Sequence, residues 1–162
     1  MDKIIEIKQK ATELVEKRSW IRKSFIELIE MMNQIVADVP DSDEPSVEVV
    51  IDKSVNEYEE REDLVMALEF NGDAYFTFYR DYYRTWEDQG RPFRRRELNP
   101  EKMYVSTIRT IASKLPDALD QMLDYIEKRL KDRHDVIQLI ERMKNALKEV
   151  INNGGDPSVS QT

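Results

Sequence analysis

The chain has 162 residues, enough for one domain with a sizeable core, and its formal charge of −8 rests on 33 acidic against 25 basic side chains. It holds no cysteine, which excludes disulfides, thiolate nucleophiles and thiolate metal sites. The opening MDKIIEIKQK alternates charged and apolar residues, so it does not read as a signal peptide, and no apolar run approaches the ~20 residues of a membrane span. The expectation is a cytoplasmic protein with no membrane contact.

The charge is unevenly placed. From Asp38 to Asp63 stand eleven acids and two bases, Lys53 and Arg61, which give −9 and carry the whole excess. From Tyr75 to Arg96 six arginines face three acids, Asp81, Glu87 and Asp88, for +3. A chain polarised in this way can steer charged partners.

In chain order, Lys3 to Asp38 reads as one helix. Ile4, Ile7, Ala11, Leu14, Ile21, Phe25, Leu28, Met32 and Ile35 fall at alternating spacings of three and four, interrupted only by Arg18. The stripe widens in the second half, as on a helix lying against a sheet. Pro40 ends it. After a loop at 41–45, alternation over Val47, Val49 and Ile51 predicts a first strand. The acidic stretch 56–62 reads as a loop, and Leu64, Met66, Leu68 and Phe70 predict a second strand. Asn71-Gly72 is a hairpin signal. A three-residue loop, 70–72, would set Met66 opposite Phe76 and Leu64 opposite Phe78, with the large apolar groups on one face. The third strand runs from Ala74 to about Arg84, with Phe76 and Phe78 inward and Tyr75 and Tyr79 outward.

Gly90 and Pro92 break the pattern, and Arg94 to Arg96 read as a loop. Asn99-Pro100 is a helix start. A short helix to about Lys114 is expected to end at Pro116. Leu119, Leu123, Ile126, Leu130, Ile137, Ile140, Leu147 and Ile151 then repeat the spacing of four and three, with Arg133 and Lys144 at the two seam positions between. The two long seams suggest antiparallel packing, within one chain or across a dimer, in which seam charges meet acidic partners and fix register. Asn153-Gly154-Gly155 stops the helix, and 154–162 reads as a disordered tail. The expected fold is therefore α+β in one domain, 1–153. It has a long N-terminal helix, a three-stranded antiparallel meander, and two or three C-terminal helices on one sheet face.

The chemistry-bearing signals are few. His134 is the only histidine and sits between Arg133 and Asp135, where it reads as a surface residue. The run 41–44 lacks the glycine turn and closing glutamate of a calcium loop. There is no phosphate loop, nucleophile elbow or HExxH motif, so no catalytic residue, cofactor or metal is assigned. An enzyme would have to rely on carboxylate chemistry without recognisable spacing.

The stretch 75–96 is the strongest signal. Aromatic faces and arginines can stack bases and hold phosphates, the requirement for single-stranded nucleic acid. The same residue types carry binding energy at protein interfaces. They could also be a core strand whose arginines answer the chain's own acids. The acidic pI near 4.9 places nucleic acid third, behind a protein interface and the purely structural reading. The expected function is a non-catalytic protein–protein interaction module: a small acidic regulator, inhibitor or accessory subunit, forming a homodimer with coiled-coil-like helices. Its partner surface would combine Tyr79, Tyr83, Trp86, Arg91, Arg94, Arg95 and Arg96, with 38–63 as a second surface.

Overall fold

The computed structural model describes residues 1–84 and 90–154. It is α+β. Helix α1 (Asp2–Val36) precedes strands β1 (Val47–Val55), β2 (Glu60–Glu69), β3 (Tyr75–Arg84) and β4 (Arg94–Glu97). A 3₁₀ turn (Pro100–Lys102) and helix α2 (Val105–Gly154) follow. The strands form one antiparallel sheet in the order β1-β2-β3-β4. By contact density the chain divides into two compact units, Met1–Met122 and Leu123 onward.

In the first unit, alternation along the strands sorts the side chains onto two faces. Val47, Val49, Leu64, Met66, Phe78 and Tyr82 are buried on one of them. The second half of α1 lies on that face. Phe25 and Ile29 are buried, and the Phe25 ring stands 6.0 Å from Phe78. Asn33 Oδ1 accepts the Phe76 N–H at 2.7 Å, and Arg22 Nε donates to the Met103 carbonyl at 3.1 Å. The first turns of α2 bury Ile108, Ile111, Ala118 and Met122, and Lys114 reaches Asp52 of β1 at 2.7 Å. Helices thus cover one sheet face, as the stripe on α1 implies.

Four details differ from the sequence reading. Arg94 to Arg96 form a fourth strand, not a loop, because β3 offers a free edge that backbone pairing fills. The β2–β3 register sets Met66 opposite Phe78 and Leu64 opposite Arg80, two residues from the expected pairing. An even slip leaves every side chain on its face, so the inward placement of Phe78 stands. The turn between β1 and β2 is only 56–59, where Asn56 Oδ1 accepts the N–H groups of Tyr58 and Glu60 and Glu59 takes a positive φ of 58°. Finally, Asn99 caps the 3₁₀ turn through Glu101 N–H, and one α-helix replaces the expected two or three. Pro116 lies inside it, exposed, where the carbonyl left without its donor can meet water. The tail after Gly154 lies outside the described residues.

The second unit, from Leu123, is the continuation of α2. Among its described residues from 131 onward every side chain is exposed.

Candidate interaction surfaces

The sheet face away from the helices is roofed by its own long polar side chains. Asp63 and Asp81 are directly opposed across β2 and β3, and each is only 2% exposed. Two facing carboxylates in such a place need positive charge. Arg95, opposite Asp81 on β4, supplies it by donating from Nε to Oδ1 at 2.7 Å and from Nη2 to Oδ2 at 2.8 Å. The same guanidinium reaches Glu48 of β1 and lies 4.5 Å above the Tyr79 ring. These bonds hold its pKa above the ordinary value. Tyr79 donates its hydroxyl to Glu69 at 2.9 Å. Burial first, then that bond and the nearby carboxylates, push its ionisation upward.

Asp63 has a different partner. Arg61 Nε stands 3.2 Å from its Oδ1 without hydrogen-bond geometry. Burial raises the Asp63 pKa, Arg61 and Lys53 lower it, and Asp81 raises it further. The Arg61 guanidinium also lies 4.1 Å above the Tyr83 ring, and burial with the two aspartates raises the pKa of that phenol.

The residues expected to form one partner surface are therefore divided between two faces. Tyr79, Tyr83 and Arg95 belong to this roof and are engaged within the chain. Arg94 and Arg96, one position either side of Arg95, project to the opposite face by strand alternation. Arg94 lies 4.1 Å above the Tyr82 ring. Arg96 pairs in register with Arg80 and lines a cavity of about 690 Å³ with Lys102 and Thr107. Arg80 is itself neutralised by Glu62 at 3.3 Å. Arg91 is exposed beyond Gly90, and Trp86 lies outside the described residues. The acidic segment 38–63 is largely absorbed into β1, β2 and their turn.

A second kind of surface is apolar. On α1, Ile4, Ile7, Leu14 and Val15 are exposed, with a groove of about 450 Å³ between Leu14, Ile21 and Val105. On α2 the exposed series includes Leu123, Leu130, Ile137, Ile140, Leu147 and Ile151, each more than half exposed. Scattered surface leucines are ordinary, but a stripe at heptad spacing is a contiguous patch.

Among the described residues no group of three or more His, Cys, Asp or Glu side chains could hold a metal ion, and no helix is long and apolar enough to cross a membrane. Comparison with protein-family models, curated proteins and solved structures gave no match.

Proposed function

We propose that this chain is a non-catalytic interaction module, a small acidic regulator, inhibitor or accessory subunit, that self-associates. The observation that carries the reading is the pair of exposed aliphatic stripes at heptad spacing on α1 and α2. A helix with this spacing gains its stability from a partner that covers the seam. The roof of the sheet supports the same reading in a second way. Its charges are held in fixed positions by one another, which suits recognition by shape and charge.

Single-stranded nucleic acid remains the rival occupant. It would have to use Arg91, Arg94 and Arg96 without the stacking faces of Tyr79 and Tyr83, which the chain's own guanidinium groups cover. Light scattering on purified protein at low and high salt, with absorbance at 260 and 280 nm, separates the two. A salt-stable mass of twice 19.2 kDa, free of nucleic acid, is expected. A monomer carrying nucleic acid that salt removes would overturn the reading.

A further inference from the structure

We propose that the second unit pairs with the same stretch of a second copy, antiparallel and centred at residue 135. This rests on the self-association proposed above and names its interface. The two apolar stripes differ in charge. Beside the stripe on α1 stand Lys3, Lys8, Lys10 and Lys17, and Arg18 sits within it, with no acid in the flanking heptad positions. Two such stripes would repel along their length. The stripe on α2 is less one-sided. Arg133 and Lys144 lie in the seam and Arg129 and Lys148 flank it, but Glu127 and Glu141 stand in flanking positions beside them.

One antiparallel register keeps the two seam cations in separate layers and brings an acid of the second copy near each of them. With pairs summing to 270, Leu123 faces Leu147 of the second copy, Leu130 faces Ile140, Ile126 faces Lys144, and Arg133 faces Ile137. Lys144 then lies beside the second copy's Glu127. Arg133 lies one helical turn from the second copy's Glu141. The exposed Glu141–Lys144 contact within one chain, 3.3 Å, is weak enough to be exchanged for this. A slip of seven residues one way sets Arg133 against Lys144 of the second copy, two cations in one layer. A slip the other way sets Leu147 against Pro116 instead of Leu123, in the stretch where Ala118 and Met122 are already buried in the core. Charge and burial together leave the register centred at 135. The paired stretch, Leu123 to Leu147, is about 37 Å long.

Because the chain has no cysteine, single cysteines report this arrangement cleanly. The full chain is made as Leu123→Cys, as Leu147→Cys, and as an equimolar mixture of the two, each treated with a short bis-maleimide. The mixture is expected to give a covalent dimer of doubled mass, and each variant alone to stay at the mass of one chain. Cross-linking of Leu123→Cys to itself would mean a parallel seam and overturn the proposal. A dimer by light scattering that cross-links in none of the three samples places the interface elsewhere. That result overturns the register and leaves self-association standing. A wild-type chain that scatters as a monomer overturns both.

Discussion

Replacing Arg95 with methionine tests whether the polar roof is a structural necessity or a decoration. The change keeps most of the side-chain length and removes the guanidinium bonded to Asp81, which is 2% exposed and faces Asp63. Removing one partner of a fully buried ion pair costs about 3–5 kcal/mol, because the other charge stays buried. Arg95 keeps 35% of its side chain exposed, so water can partly replace it, and the expected loss is about 2–4 kcal/mol. For a chain of this size that lowers Tm by about 5–15 °C. The variant should also gain a pH dependence. Burial already raises the Asp63 pKa, and with a nearby cation gone that carboxyl binds a proton still more tightly when folded than when unfolded, so the variant's stability should recover as pH falls from 7 toward 4. Thermal melts followed by circular dichroism at both pH values give the answer. A fall in Tm below about 2 °C at pH 7 would class the contact with surface ion pairs and refute the argument.

Four further outcomes follow from the same structure. Burial raises the Asp63 pKa above its ordinary 3.8, so its ionised form weakens the fold at neutral pH, and the penalty disappears as pH falls through the folded value. Asp63→Asn should therefore melt above the wild type at pH 7, with a gap that narrows below pH 4. A variant that melts lower at pH 7 would contradict the sign. Pro116→Ala restores one helical hydrogen bond at an exposed position and should add about 1–3 kcal/mol in urea titration; no gain would mean that the helix is locally relaxed around the proline. Glu59→Gly removes the strain of φ 58° and should add about 1 kcal/mol, read as a higher urea midpoint. Ile137→Asp, at a side chain 53% exposed, should change the stability of one chain by no more than about 0.5 kcal/mol and yet abolish the dimer in light scattering; an unchanged mass would remove Ile137 from the interface.

Much of the fold could be read from pattern. The α1 stripe, three strands, the hairpin near Asn71-Gly72 and the cap at Asn99 each depend on interactions a few residues apart, and these leave a periodic or compositional trace. The β2–β3 register erred by two residues because Phe76 and Phe78 both satisfy the apolar face. The structure chooses between them through Asn33, whose side chain caps the Phe76 N–H from a position forty-three residues away. Nothing local in the sequence announces that bond. Pro116 misled in the opposite sense. The rule that proline ends a helix describes a cost, and burial of Ala118 and Met122 directly beyond it outweighs that cost.

The partner surface was the least legible part, for a related reason. Arg94, Arg95 and Arg96 look alike in sequence and no apolar residue alternates with them to suggest a buried face, so they read as one exposed cluster. A strand converts three adjacent residues into two faces. Once β4 pairs with β3, the middle arginine must fall where Asp81 and Glu48 already lie, while its neighbours fall opposite Tyr82 and Arg80. The signal was present in Asp63 and Asp81, two acids at positions that strand alternation places within the sheet and that no fold leaves without a cation. Two in-sheet aspartates together with an arginine run nearby predict an edge strand that brings one arginine to them. On that reasoning the run is first a means of closing the sheet. Among the described arginines of the run, Arg94 and Arg96 fall on the face away from the two aspartates, and they, with Arg91, are the ones a partner would have to use.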